Sequence, residues 1–130
     1  MIIIYTLIII IIGLSQIHLT KTWLLYYGWL ENNGKYGIRI HALINLILGL
    51  PIIIFLDYLS GPQVVLVFFG WFLILESIFS VISSELMVSE LNSIGEKTRK
   101  KLLVFSGFVH IIIGGILVMD LFYRENQLLF

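Results

Sequence analysis

Residues 64–84 read VVLVFFGWFLILESIFSVISS. A helix of ~20 apolar residues crosses the ~30 Å hydrocarbon core of a bilayer, since each residue adds 1.5 Å of rise. Glu76 places one carboxylate well inside this apolar run. An ionisable side chain inside a membrane-spanning helix is costly and usually functional. The stretch therefore predicts a membrane protein and makes Glu76 the first candidate for a functional residue.

The composition agrees with a membrane protein. The chain has 130 residues, of which 59% are hydrophobic and 12% charged, and its mean hydropathy is +1.04. Soluble domains are roughly 45–50% apolar and roughly 25% charged. The eight basic and eight acidic residues cancel, so no net charge recruits nucleic acid. Without Cys the chain has no disulfide or thiolate metal site, and we expect neither a cofactor nor a metal.

Four apolar runs are long enough to cross a bilayer once each, at about residues 2–19, 38–56, 64–83 and 102–122. They predict an all-α membrane protein, a four-helix transmembrane bundle, that forms one integral membrane domain over residues 1–130. The first run lacks the basic start and the cleavage site of a signal peptide, so we expect it to be retained. In a prokaryote the predicted location is the cell membrane.

Basic residues gather in two connecting segments, residues 20–37 and 84–101, and at the start of the run that follows the first of them. They are Lys21, Lys35 and Arg39 near the first segment, and Lys97, Arg99, Lys100 and Lys101 in the second. Lys and Arg concentrate in cytoplasmic loops. We therefore expect both segments to face the cytoplasm, and both termini and the 57–63 turn to face the other side.

Residues 21–39, KTWLLYYGWLENNGKYGIR, are rich in aromatic side chains, among them Trp23 and Trp29. Because amphipathic rings favour the headgroup region, the segment predicts a short interfacial helix. Residues 32–34, Asn-Asn-Gly, predict its end. We expect lipid contacts from these Trp residues and from Lys97, Arg99, Lys100 and Lys101. The alternative for this basic cluster is that it only sets the topology.

Three local features modify the helices. Pro51 cannot donate a backbone hydrogen bond and predicts a kink in the second run. Residues 60–62, Ser-Gly-Pro, predict a tight turn, so that the second and third runs pack as an antiparallel hairpin. Beyond Ser84, the apolar residues Met87, Leu91 and Ile94 recur at helical spacing, so we expect the third helix to continue past the membrane surface.

Polar side chains share one face on several runs, counted at 100° per residue. They are Glu76 and Ser80 on the third run, His110 on the fourth, and Asn45 and His41 on the second. At 1.5 Å per residue, Glu76, Asn45 and His110 lie ~10–12 Å from the cytoplasmic ends and predict one polar layer, with His41 nearer the surface. Small residues permit close helix contacts, and we assign this role to Gly49, Gly107, Gly114 and Gly13.

Two functions are compatible with this layer. In the first, Glu76 stays protonated and bonds across helices, and the protein acts by lateral helix association. It would then be an accessory or structural subunit of a larger membrane complex, or a protective partner protein. In the second, Glu76 and His110 share a proton, and the protein is a small proton- or cation-coupled transporter or channel. Because such a bundle is narrow, that pathway would require a homo-oligomer.

Other kinds of chemistry have weaker support in the sequence. His41, His110 and Glu76 resemble a metal-ligand set in residue type, but no paired spacing supports one. A membrane enzyme is a third hypothesis, based only on Glu and His being general acid and base types. We assign no catalytic residue, and the expected partners are the lipid bilayer and other membrane subunits or copies of the chain.

Overall fold

The computed structural model describes residues 2–55, 61 and 63–128, with side chains as far as residue 123. Its helices are α1 (Ile2–His18), α2 (Thr20–Phe55), α3 (Gln63–Ile82), α4 (Ser84–Ser93) and α5 (Glu96–Leu128). No β-strand occurs in these ranges, so the predicted all-α class is confirmed. Most of the predicted 57–63 turn lies outside the described residues. Gly61, which is described, is in the left-handed region with φ of 68°.

Gly34 divides α2 into an N-terminal segment, residues 20–33, and a C-terminal segment, residues 35–55. Its φ of 51° and ψ of −131° lie outside the helical region, in a conformation that residues with a Cβ rarely adopt. The helix end predicted from residues 32–34 is therefore confirmed. Pro51 lies inside the C-terminal segment without non-helical backbone angles, and the kink predicted there stays a prediction.

Three helices are long and apolar enough to cross a bilayer. They are Thr20–Phe55, Gln63–Ile82 and Glu96–Tyr123, with 36, 20 and 28 residues. The protein is therefore a multi-pass membrane protein. The apolar helix α1 has 17 residues, which is about the shortest length that spans a bilayer, and its crossing stays a prediction.

The described residues form two compact units, and the first contains α1, the start of α2 and α5 from Lys97 onward. Here α1 and α5 are antiparallel, because Ile10 lies against Gly114 whereas Gly13 lies against Gly107. A Cβ added to either Gly13 or Gly107 would stand 2.8 Å from the carbonyl oxygen of the other. The two backbones thus contact each other directly, as small residues allow in membrane helices.

The second unit spans Leu24–Glu96. The C-terminal segment of α2 is antiparallel to α3, because Ala42 lies beside Ser77 whereas Gly49 lies beside Gly70. The Ser77 hydroxyl donates a 2.8 Å hydrogen bond to the Ala42 carbonyl, and a Cβ added to Gly49 would stand 2.9 Å from the Gly70 carbonyl oxygen. The predicted antiparallel packing of the second and third runs is confirmed.

The third predicted helix does not continue unbroken past the membrane surface. Helix α3 ends at Ile82, Ser83 has φ of −109° and ψ of 34°, and α4 follows as a separate helix of 10 residues. The prediction of one continuous helix is wrong because the spacing of Met87 and Leu91 fits a separate short helix equally well. Ser favours helix ends, since its hydroxyl competes for nearby backbone groups.

Because of the direct backbone contact in the first unit, we expect alanine substitutions at two glycines of α5 to differ in their effect on protein stability. Gly107→Ala should destabilise the protein by about 1–3 kcal/mol, the usual cost of overpacking a close contact. Gly115→Ala is the matched control, because a Cβ added there meets nothing within 4 Å. In SDS titrations, the unfolding midpoint should fall for Gly107→Ala only. Equal midpoints for the two variants would contradict the contact.

Candidate functional site

An ionisable pair joins α3 to the C-terminal segment of α2 in the second unit. Glu76 Oε1 lies 3.6 Å from His41 Nε2, and the side chains of Glu76 and His41 are 31% and 21% exposed. A carboxylate inside an apolar helix is costly unless a polar group accompanies it. His41 is such a group, and it lies on the neighbouring helix.

Tyr26 continues this arrangement into the N-terminal segment of α2. Its hydroxyl oxygen lies 2.8 Å from His41 Nδ1, although the two residues are 15 positions apart. In an unbroken helix such residues would be ~22 Å apart along the axis. The contact therefore depends on the break at Gly34. We call Glu76, His41 and Tyr26 the polar triad.

The His41 ring has two alternative sets of hydrogen bonds. Asn45 Nδ2, one helical turn further on, lies 3.3 Å from His41 Nε2. In one tautomer Nε2 accepts from the Asn45 amide and Nδ1–H donates to the Tyr26 oxygen. In the other tautomer the Tyr26 hydroxyl donates to Nδ1, and Nε2–H faces the Glu76 carboxylate. Since the two sets differ in where one ring proton lies, the ring can receive a proton at one nitrogen and release one at the other.

Aromatic rings hold Tyr26 in position. Its ring stacks on Trp29, with centroids 6.3 Å apart and planes 16° apart, and meets Tyr27 edge-on at 5.8 Å. Stacked and edge-to-face contacts of this kind are favourable. Tyr26 is the member of the site that sequence reasoning missed, because placement at the membrane interface already accounts for a Tyr among other aromatic residues.

The structure brings together Glu76, Asn45 and His41 from the predicted polar layer. His110 belongs to the first unit, where its Nδ1 lies 2.7 Å from the Ser106 carbonyl oxygen. Because a carbonyl only accepts hydrogen bonds, this Nδ1 carries a proton and donates. The predicted sharing of a layer by His110 and Glu76 stays a prediction.

The other predicted site residues have separate surroundings. Ser80 is fully buried on α3, and its hydroxyl has no hydrogen-bond partner among the described residues. Gly114 lies against Ile10 in the first unit. The Trp23 ring nitrogen donates a 3.0 Å hydrogen bond to the Ser15 hydroxyl. The basic cluster of Lys97, Arg99, Lys100 and Lys101 lies near the start of α5, with its three Lys residues exposed.

A second pair of charged groups lies at the start of α4. Lys35 donates a hydrogen bond to Glu85 Oε1, and both side chains are largely exposed. This hydrogen bond and the positive charge of Lys35 lower the pKa of the Glu85 carboxyl below its ordinary value. The ion pair therefore forms above that lowered pKa and is lost as the pH falls through it.

Two further observations bear on what the site can do. In the part of the chain that the structure describes, no group of three or more His, Asp or Glu side chains is placed to hold a metal ion. Comparisons with family models, with curated proteins and with solved structures gave no significant match. The chemistry of the polar triad is thus the basis for assigning a function.

The Lys35–Glu85 pair leads to a prediction about the pH at which the Glu85 carboxyl titrates. Lys35→Gln should raise the pKa of Glu85 towards its ordinary value, because both the hydrogen bond and the positive charge are removed. Lys35→Arg, which keeps the charge, is the control and should leave the pKa lowered. Carbon-13 NMR of the Glu85 carboxyl against pH measures both variants. A Glu85 titration that Lys35→Gln does not change would contradict the pair.

Proposed function

We propose that this small multi-pass membrane protein moves protons, or a cation coupled to protons, with Glu76 as the membrane-embedded acceptor. The observation that supports this function is that a carboxylate, an imidazole and a phenol lie next to one another, in that order, in the polar triad. The imidazole lies 3.6 Å from the carboxylate oxygen and 2.8 Å from the phenol oxygen. Ionisable residues inside membrane helices commonly mark proton and ion pathways.

The proposed route leads inward from the membrane surface. Tyr26 lies among interfacial aromatic residues, which favour the headgroup region. Glu76 lies ~9 Å before the end of α3, measured along the helix. His41 contacts both residues and bridges the surface and the interior.

One proton transfer can be followed atom by atom. The Tyr26 hydroxyl passes its proton to His41 Nδ1 while its oxygen takes one from a hydronium ion, which leaves a neutral phenol and a water molecule. The Nε2 of the resulting imidazolium lies 3.6 Å from the Glu76 carboxylate oxygen. Nε2 then releases its proton to Glu76, which becomes neutral, and the ring is left with its proton on Nδ1. In that state Nε2 accepts the hydrogen bond from the Asn45 amide.

The proposal includes a four-helix transmembrane bundle with both termini on the non-cytoplasmic side. Its support is the apolar character of α1 and the distribution of positive charge. Lys21, Lys35 and Arg39 precede or begin the C-terminal segment of α2, and four further basic residues lie near the start of α5. Basic residues concentrate on the cytoplasmic side. Because four helices enclose little space, we propose that copies of the chain associate to complete the pathway.

A second candidate function is lateral association, as an accessory subunit of a membrane complex or as a protective partner. The observation in its favour is the partial exposure of the Glu76 and His41 side chains within apolar helices. A neighbouring helix that presents a polar side chain to them would satisfy both groups without any proton movement. Mild detergent extraction would then recover a stoichiometric partner that is lost in Glu76→Gln.

Proton flux into proteoliposomes tests the first candidate. Glu76→Gln and His41→Gln should each lower the flux at least about tenfold, because each removes a proton carrier. Tyr26→Phe should have a smaller effect, since water can deliver a proton to Nδ1 in place of the phenol. A pH-sensitive dye inside the vesicles measures the rate after a pH step.

Glu90→Gln is the matched control for the flux experiment, because Glu90 is an exposed carboxylate on α4. Its flux should equal that of the wild type. Wild-type flux no higher than that of empty vesicles, or an equal loss in Glu90→Gln and Glu76→Gln, would contradict the proposed transport. A partner recovered only with Glu76 intact would then favour lateral association.

A further inference from the structure

A cavity of about 660 Å³ lies where α3 ends and α4 begins, within the second unit. The start of the C-terminal segment of α2 contributes Lys35 and Arg39 to its lining, and Ser83 and Ser84 contribute hydroxyl groups. The cavity does not include any member of the polar triad. Its chemistry therefore requires a separate explanation.

The cavity carries one positive charge in excess. Lys35 and Arg39 are cationic, and Glu85 is the single carboxylate of the lining. Lys35 is paired with Glu85, whereas no described residue forms an ion pair with Arg39. A guanidinium without a carboxylate partner is suited to bind the two oxygens of a phosphate group.

Hydrogen-bond donors accompany Arg39 in the cavity. Ser84 is only 6% exposed and lines the cavity, and no side-chain hydrogen bond joins it to another described residue. The first turn of any helix leaves backbone N–H groups without intrahelical partners. Ser83, at the N-cap of α4, caps none of them with its side chain. The Ser83 and Ser84 hydroxyls can donate hydrogen bonds to an anion in the cavity.

The rest of the lining is apolar and open. Ile82 is 79% exposed, and Val81 and Leu86 are also exposed. A free phosphate ion gains nothing from apolar surface, whereas the acyl chain of a lipid removes such surface from water. A cation, hydrogen-bond donors and exposed aliphatic side chains together favour a lipid over a soluble anion as the ligand of this cavity.

We propose that this cavity binds the phosphate-bearing headgroup of an anionic membrane lipid. Arg39 and Ser84 hold the phosphate, and the acyl chains lie over Val81 and Ile82. The Lys35–Glu85 pair forms one wall of the cavity, so that Arg39 alone supplies the unbalanced charge. This site differs from the diffuse attraction of the basic cluster at the start of α5.

Native mass spectrometry of the full chain in a non-ionic detergent tests the site, with phosphatidylglycerol as the titrated probe and phosphatidylcholine as the comparison. The wild type should retain phosphatidylglycerol preferentially. Arg39→Gln should weaken its binding about fivefold, the usual effect of one basic residue near an anionic lipid. Arg39→Lys keeps the charge but loses the two-point hydrogen bonding of the guanidinium, so its binding should lie between that of the wild type and that of Arg39→Gln.

Lys21→Gln removes one exposed positive charge from the start of α2, away from the cavity lining, and is the matched control. Its binding of phosphatidylglycerol should equal that of the wild type. A loss in Lys21→Gln as large as that in Arg39→Gln would overturn the proposal, and so would equal retention of the two lipids. Displacement of phosphatidylglycerol by inorganic phosphate at the same concentration would overturn the lipid as the ligand, because the apolar wall would then contribute nothing.

Discussion

A carboxylate inside an apolar helix needs a polar partner, and the arrangement of the second unit depends on how Glu76 obtains one. His41 lies 3.6 Å away on the neighbouring helix, and the antiparallel packing of that helix on α3 sets this distance. Close packing at Gly49 and Gly70 fixes the register of the two helices, in which the Glu76 and His41 side chains meet. The same pair is also where the proposed function has its chemistry, since a carboxylate beside an imidazole can exchange a proton.

Glycine has a different role at Gly34 than in the helix contacts. At Gly34 the absence of a Cβ allows a positive φ, which turns the N-terminal segment of α2 so that Tyr26 reaches His41. At Gly13 and Gly107 it allows two backbones to approach. The first role brings the Tyr26 hydroxyl to His41, and the second holds α1 on α5 within the first unit. The polar triad thus depends on a glycine that does not itself contact it.

Much of the fold was predictable, because apolar runs have a length that a bilayer dictates and because Gly34 follows two Asn residues that favour a helix end. That Glu76 lies inside a membrane-spanning helix was also predictable, because it interrupts one of these apolar runs. Its contact with His41 was not, since helical periodicity assigns a face to each residue but does not say which helix that face meets. Tyr26 was hidden among interfacial aromatic residues. The end of α3 at Ile82 was missed because an apolar spacing continues beyond it in α4.

The nitrogen-15 NMR spectrum of the His41 ring, recorded on protein reconstituted in bilayers, tests most directly whether the polar triad exists. His41→Gln identifies the signals among the three His residues of the chain. Tyr26→Phe should shift mainly the Nδ1 resonance and Glu76→Gln mainly the Nε2 resonance, because each nitrogen faces a different partner. His41 resonances that are unchanged in both variants would show that the ring contacts neither residue and would contradict the polar triad.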